Sequence, residues 1–337
     1  SPAVIYYRIL VFRIDISRDK FTVACRSGNT IKVHDWTYDC DGIKAFVRGL
    51  ASDSKCVMEA TGIYHTRLAV ALHDAGIFVS VVNPLCSKNY SRMLMKRTKT
   101  DKADSSLILD YAESQALEEW KPKEAYCIEV HQLFTMLESK RKQLSIARNK
   151  LESLEHSSCK SKLCVDMCKR DMVDFKNDIE LISNEIAKLV EANEKESLER
   201  VMSIPGIGRT TACMLIALTN TMRGFDNYRQ VISYIGTSPR IYESGKSICG
   251  RAAICKMGMG LVRKQLYMCT FSAERYNRSC TELAERLREK GKANKVIRIA
   301  LVNKLIKQIF AIMTGNKMYD ENFGLSRKKR PKILVSC

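Results

Sequence analysis

The hydrophobic pattern of the chain changes near residue 129, and this change most constrains the fold. Before it, apolar residues occur in short runs separated by turn residues. After it, they recur at steps of three and four residues over many turns. Short alternating runs are typical of strands, whereas the longer repeat is typical of helices. The sequence therefore predicts an α/β region followed by a region of long helices.

The first hundred residues predict an alternation of strands and helices. Five apolar runs have the length and composition of strands, and they cover residues 8–17, 20–27, 30–37, 55–60 and 77–84. Helices are predicted at 41–51, at 65–76 and from near Asp101 onward. The order β-β-β-α-β-α-β-α is that of the RNase H-like, or RuvC-like, α/β fold, which we expect over residues 1–125.

Two apolar series predict long paired helices over residues 126–197. The first series is Leu133, Leu137, Leu144, Ala147, Leu151 and Leu154. The second is Val165, Cys168, Met172, Phe175, Ile179, Ile182, Ile186 and Leu189. Charged residues fill the other positions, as in a coiled coil. An antiparallel hairpin within one chain and a coiled coil between subunits both fit this α-helical linker.

The rest of the chain predicts an all-α domain at 198–318 and a basic tail at 319–337. Long basic helices are expected over 251–275 and 295–313. Near the start of this domain, a Pro-Gly-x-Gly turn leads into an apolar helix, which indicates a helix-hairpin-helix-like element.

The glycines of that turn have two interpretations. Gly206 and Gly208 would leave the amides at the helix start open to a DNA phosphate, beside the cationic Arg209. A turn with a purely structural role fits the same residues equally well.

The charge of the chain predicts a polyanionic partner. The 56 lysines and arginines exceed the 37 acids, giving a net charge of +19. Nucleic acid is the commonest partner of such a protein. A nucleic-acid chaperone without catalysis would fit the charge alone. No apolar run has the length of a membrane span and no signal peptide is evident, so we expect an intracellular protein with no membrane partner.

The 14 cysteines are scattered without paired spacing, which predicts reduced residues in the core. One cluster contains the four possible zinc ligands His156, Cys159, Cys164 and Cys168. Their spacing matches no common zinc pattern.

Four carboxylates predict a metal site in the α/β domain. Asp15 ends the first predicted strand and Glu59 ends the fourth, and in an RNase H-like sheet these strands are parallel neighbours whose carboxyl ends meet. Asp101 and Asp104 are three residues apart, so they share one face of a helix. Oxygen ligands without His or Cys favour Mg²⁺ or Mn²⁺. For any single acid, a strand-end or capping carboxylate is the alternative.

Ser244, which precedes Gly245, is the candidate nucleophile. A serine hydroxyl needs a base, a metal or a cationic setting to attack phosphate, and Ser-Gly is more often only a turn. The basic residues expected to hold nucleic-acid backbones are Lys96, Arg97, Lys99, Lys102, Arg209, Arg240, Lys246 and Arg251.

Several motifs resemble the DEDD transposases of bacterial insertion sequences, which are guided by a bridge RNA and related to pilin-gene invertases. The first three motifs are "IDIS" with Asp15, "MEATGIYH" with Glu59, and "KTDKADS" with Asp101 and Asp104. "SIPGIGRTTACMLIA" and "ESGKS" followed by "MGMGLVRKQLY" resemble the C-terminal transposase domain of that family. Arg13 departs from the pattern, because the first strand of the family often carries Gly there.

The resemblance implies Mg²⁺ at the four acids and a transient phosphoserine bond to DNA. The serine of the family maps to Ser244, with Ser247 as the runner-up. The implied partners are donor and target DNA, a bridge noncoding RNA, and further copies of the chain, as a dimer or tetramer through the coiled coil. The implied location is the bacterial cytoplasm, at the nucleoid. A fixed-site DNA invertase without RNA and a RuvC-type Holliday-junction nuclease using water remain the alternatives.

Overall fold

The computed structural model describes residues 10–28, 30–60, 62, 64–93, 109–110, 112, 116–240, 243–244, 248–249 and 253–322. The chain divides into two compact units, Ser1–Pro122 and Lys123–Cys337.

A five-stranded mixed sheet forms the centre of the N-terminal unit. Its strands are β1 Val11–Ile16, β2 Lys20–Ser27, β3 Thr30–Thr37, β4 Lys55–Glu59 and β5 Phe78–Val82. They lie in the order β3-β2-β1-β4-β5. The first three strands pair antiparallel, while β1–β4 and β4–β5 pair parallel. The predicted α/β class is confirmed.

Three described helices accompany the sheet: α1 Cys40–Arg48, α2 Tyr64–Asp74 and α3 Pro84–Met93. Helices α1 and α2 were predicted, but α3 was not, because Pro84 was assigned to the end of a strand. Proline fits the first turn of a helix because its missing N–H needs no partner there. Asn83 supplies the cap, since its Oδ1 accepts a hydrogen bond of 2.9 Å from the Leu85 N–H.

One side of the sheet, which we call the apolar face, carries the main core of this unit. Alternate residues of the strands point to it, and α1 and α2 cover it. The buried cluster includes Ile14, Ile16, Phe21, Cys56, Met58 and Val79 from the strands, with Phe46 and Leu68 from the helices. The rings of Phe21 and Phe46 meet edge to face, with centroids 5.4 Å apart.

The opposite side, the polar face, carries Arg13, Asp15 and Glu59 on the intervening positions of the strands. A small buried cluster of Val57, Val82 and Ala112 lies there.

Two helices joined by residues 156–161 form an arm in the C-terminal unit: α4 Ala125–Glu155 and α5 Lys162–Met202. They pack against each other within one chain. Lys140 links them, with its Nζ 2.7 Å from Asp178 Oδ2.

The helix α5 breaks at Glu194, which has φ −140° and ψ 45°. The carboxylate of Glu194 accepts hydrogen bonds from Ser197 Oγ at 2.7 Å, Thr221 Oγ1 at 3.2 Å and Arg223 at 2.8 Å. Arg223 also binds Glu124, the residue before α4, at 2.8 Å. These hydrogen bonds therefore connect the start of α4 to the break in α5.

Five further helices complete the C-terminal unit: α6 Arg209–Leu218, α7 Tyr228–Ile235, α8 Gly260–Tyr276, α9 Arg278–Glu289 and α10 Asn294–Gly315. A short 3-10 turn covers Asn220–Met222. The buried faces of all five helices share one core with the arm. No helix in the described ranges is long and apolar enough to cross a bilayer.

The expectation of an all-α C-terminal domain was wrong between α7 and α8. Two pairs of two-residue strands lie there: β6 Pro239–Arg240 with β9 Ala253–Ile254, and β7 Glu243–Ser244 with β8 Ile248–Cys249. The helix predicted over 251–275 begins only at Gly260. Gly258 has φ +134°, and a Cβ at this position would collide with the backbone carbonyl of Tyr234. A helix cannot continue through such a residue.

The described cysteines are free thiols, but they are not all in the core as expected. Burial raises the pKa of Cys56 and Cys280 to about 12 and that of Cys213 to about 11. By contrast, four are exposed: Cys40, Cys86, Cys159 and Cys164. Within the described part of the chain, no three His, Cys, Asp or Glu residues are grouped as metal ligands would be.

Candidate active site

Asp15 and Glu59 lie at the carboxyl ends of adjacent parallel strands. The last registered pair between β1 and β4 is Ile14 with Met58, and both of these side chains are buried in the apolar face. The next residues, Asp15 and Glu59, therefore stand at one level on the polar face. Neighbouring strands are about 4.8 Å apart, which is within the span of one bound ion.

Asp15 is accessible and has a cationic neighbour. Its side chain is 59% exposed, and Oδ2 lies 3.4 Å from the Arg13 guanidinium. The Arg13 side chain is only 9% exposed. A buried guanidinium is costly unless acids offset its charge, so Arg13 and Asp15 stabilise each other.

Glu59 is bound by a serine that was not among the predicted site residues. Ser87 is buried in α3, and its hydroxyl lies 2.5 Å from Glu59 Oε1 and 3.0 Å from the Pro84 carbonyl. This contact restricts the orientation of the carboxylate, as partners behind a metal ligand commonly do. The helix-start signal Asn83-Pro84 could have revealed α3 and with it Ser87.

Residues just after the predicted aspartates are anchored on the polar face. Ala112 packs with Val57 and Val82. The Asp110 Oδ1 atom lies 2.5 Å from the guanidinium of Arg26, a residue of β2. The predicted site residues Asp101, Asp104, Lys96, Arg97, Lys99 and Lys102 lie outside the described residues.

A third acid, Asp35 on β3, extends the same cross-strand row. Thr22 pairs with Asp15 on one side and with Asp35 on the other. The hydrogen bonds that Lys20 Nζ and Thr22 Oγ1 donate, at 2.7 Å and 2.6 Å, hold the pKa of Asp35 below its usual value. Asp35 was not among the predicted site residues.

Ser244 lies in the second unit, as the last residue of β7. It pairs with Ile248 of β8. Arg240 is exposed on β6 and pairs with Ala253. Ser247, Lys246 and Arg251 lie outside the described residues.

The glycine turn before α6 has a structural cause. Gly206 has φ +99°, and a Cβ there would collide with the Ala273 backbone on α8. Gly208 is exposed and precedes α6 without a side chain to cap it. Arg209 binds Glu191 at 2.6 Å and is half exposed. Close packing therefore accounts for Gly206, while the start of α6 remains accessible at Gly208.

Acids at adjacent strand ends and a strong excess of lysine and arginine are features of enzymes that act on nucleic-acid phosphates. A model of the transposase IS116/IS110/IS902 family matches residues 198–285, which contain Ser244. A transposase model named for the DEDD IS110 type matches residues 13–154, which contain Asp15 and Glu59. Together these matches span more than half of the chain. The chain belongs to the IS110 family of transposases, and it is therefore an enzyme that acts on DNA.

Curated relatives agree with this assignment. The chain is 29% identical over 321 residues to the pilin gene-inverting protein of Moraxella bovis, covering 91% of this chain and 97% of that protein. The pilin gene-inverting protein of Moraxella lacunata gives the same values. The transposase for insertion sequence element IS1111A of Coxiella burnetii is 30% identical over 133 residues, covering 38% of this chain and 36% of that protein.

Proposed function

We propose that this transposase cuts and rejoins DNA by metal-assisted serine attack on phosphate. Asp15, Glu59, Asp101 and Asp104 would hold Mg²⁺ or Mn²⁺, and Ser244 would be the nucleophile. The observation that carries the proposal is the placement of Asp15 and Glu59 at one level of the polar face, on adjacent strand ends.

The donor set fits a hard divalent cation. Asp15 is exposed enough for an ion to reach it, and Ser87 orients the Glu59 carboxylate. Arg13 lowers the repulsion between the acids before a cation binds. A bound ion would polarise a phosphoryl oxygen and activate the nucleophile.

The serine step exchanges one phosphodiester for another. Ser244 Oγ bonds to phosphorus, its proton passes to a carboxylate, and the bond from phosphorus to one sugar oxygen breaks as that oxygen takes up a proton. Because the new bond is also an ester, attack by another DNA end can reverse the step and rejoin strands without ATP. This chemistry suits strand exchange.

The proposal includes self-association through the arm. Apolar side chains remain exposed along it, among them Leu163 and Leu181, each 69% exposed, together with Met136, Ile146 and Val173. Several exposed apolar side chains along one helix pair offer a surface for contact between subunits. A dimer or tetramer would let the acids of one subunit work with the serine of another.

Guidance by a bridge noncoding RNA is part of the proposal, and a fixed-site invertase is the second candidate. The Moraxella pilin gene-inverting relatives, which match 91% of this chain, favour the second candidate. Sequencing of RNA that copurifies with the protein separates the two: we expect one discrete noncoding species. Random cellular fragments would favour the invertase.

Serine chemistry is tested by trapping the covalent adduct. The wild-type protein and the Ser244→Ala and Ser247→Ala variants are incubated with labelled DNA and Mg²⁺, then separated under denaturing conditions. We expect a protein–DNA adduct with wild type and Ser247→Ala, and none with Ser244→Ala. Continued cutting by Ser244→Ala without an adduct would instead indicate a nuclease that uses water.

A further inference from the structure

A basic–aromatic surface lies where α8, α9 and α10 meet. It consists of Phe271 and Arg275 on α8, Lys292 and Lys295 around the α9–α10 connection, and Arg298 on α10. The three helices pack against one another. Arg298 contacts the Phe271 ring, while Arg275 lies one helical turn from Phe271 and Lys295 one helical turn from Arg298. Neither the acids nor the serine of the proposed function belongs to it.

A nearly buried carboxylate fixes the cations at the centre of this surface. Glu274 is 14% exposed, and its Oε2 lies 2.6 Å from the Arg298 guanidinium. Arg288 binds the other oxygen of the same carboxylate. Arg298 also donates a hydrogen bond of 3.0 Å to the Thr270 carbonyl. Because two guanidinium groups share one acid, the cluster keeps a net positive charge.

Phe271 is 46% exposed, and two side chains contact its ring. The Arg298 guanidinium carbon lies 4.1 Å from the ring centroid, and the Tyr267 ring contacts Phe271 edge to face at 5.9 Å. Single exposed apolar residues are ordinary. An aromatic ring stacked on arginine within a basic patch, however, is the arrangement on which unpaired bases stack.

The surrounding charges suit a phosphate backbone. Arg275 is exposed one helical turn from Phe271, on the same face of α8. Lys292 and Lys295 are exposed, and no acid lies between them in the sequence. These side chains can reach phosphates on either side of a base that stacks on Phe271.

We propose that this basic–aromatic surface binds an unpaired nucleic-acid strand, with Phe271 stacking on a base and Arg275, Lys292 and Lys295 contacting phosphates. The surface binds whether or not DNA is cut, so its test is independent of the adduct test above.

The experiment measures binding of the full-length protein to a fluorescein-labelled single-stranded oligonucleotide and to the matching duplex, over a range of salt. Phe271→Leu removes the aromatic face but keeps an apolar side chain. Lys292→Gln with Lys295→Gln removes two charges.

Two control variants are matched to these. Tyr228→Leu removes an aromatic ring elsewhere, and Arg229→Gln with Lys307→Gln removes two charges elsewhere. Lys307 lies over the Tyr228 ring at 5.1 Å, on the opposite side of α10 from Arg298 because nine residues make about two and a half turns.

We expect Phe271→Leu to weaken single-strand binding about fivefold or more and to change duplex binding less, because duplex bases are already stacked. The double lysine variant should reduce the salt slope for the single strand by about 1.4. The controls should change neither quantity.

Three results would overturn the inference. The first is unchanged single-strand binding by Phe271→Leu in protein that melts like wild type. The second is an equal loss in both double-charge variants, which would indicate a diffuse effect of net charge. The third is binding to phosphatidylglycerol vesicles that Phe271→Leu abolishes while oligonucleotide binding persists, which would indicate a membrane surface.

Discussion

The two faces of the N-terminal sheet are made by the same strands but differ in composition and in expected role. On the apolar face, Ile14 and Met58 are buried among helices α1 and α2. One residue further along each strand, Asp15 and Glu59 occupy the polar face. Burial of the first pair stabilises the fold in proportion to the apolar area removed from water. Asp15 is instead largely exposed beside Arg13, and the Ser87 hydroxyl binds the Glu59 carboxylate, so the second pair adds little to the core and is available for the ion-binding role proposed above.

The largest expected difference between the faces is in DNA cleavage. Asp15→Asn should reduce Mg²⁺-dependent strand cleavage by about a thousandfold or more, because a neutral amide is a poor ligand for the cation and gives little transition-state stabilisation. Ile14→Val, the adjacent residue on the apolar face, should cost about 1 kcal/mol of stability and leave cleavage intact. Gel assays of cleavage and urea unfolding measure the two effects. Unfolding can be followed by tryptophan fluorescence, since Trp36 and Trp120 both belong to the N-terminal unit. Comparable cleavage losses in both variants would remove the distinction.

A smaller effect on cleavage is expected for Ser87, which binds Glu59. Ser87→Ala removes the hydrogen bond to Glu59 Oε1 and should raise the Mg²⁺ concentration for half-maximal cleavage about tenfold. The maximal rate at saturating Mg²⁺ should change less. Ser54→Ala is a suitable control, because Ser54 is also buried in this unit but precedes β4. A purely structural role for Ser87 would lower stability without changing the dependence on Mg²⁺.

The smallest effect concerns Asp35 at the edge of the polar face. Hydrogen bonds from Lys20 and Thr22 lower its pKa below the ordinary 3.8. A lowered folded-state pKa stabilises the fold above the unfolded value, and this contribution is lost as the pH falls through the folded value. Lys20→Gln should therefore move the pKa of Asp35 back toward 3.8 and slightly reduce acid stability. NMR titration of the carboxyl group measures the shift. An unchanged pKa in Lys20→Gln would exclude the lysine as its cause.

The sequence predicted the sheet and the placement of Asp15 and Glu59 because both acids follow strands with clear apolar alternation. It did not predict Ser87, because Pro84 was interpreted as the end of a strand rather than the first residue of α3. A proline supports either interpretation, and only the Asn83 cap distinguishes them.

In the C-terminal unit, prediction from sequence failed for a different reason. The apolar repeat predicted the arm and α10 well, since long helices leave a strong periodic signal. The strands β6 to β9 are two residues each, which is too short for any period to develop. The backbone conformation of Gly258 depends on its contact with the end of α7. The spacing of residues in the sequence could not predict that contact.

Bending of α5 is easiest at the break at Glu194, where its helical conformation is interrupted. From Lys162 to the break at Glu194, the helix is roughly 48 Å long at 1.5 Å per residue. A tilt of about 10° at that point would move the far end by about 8 Å. The hydrogen bonds that Ser197, Thr221 and Arg223 donate to the Glu194 carboxylate therefore act at the point from which a small change of angle has its largest effect at the tip.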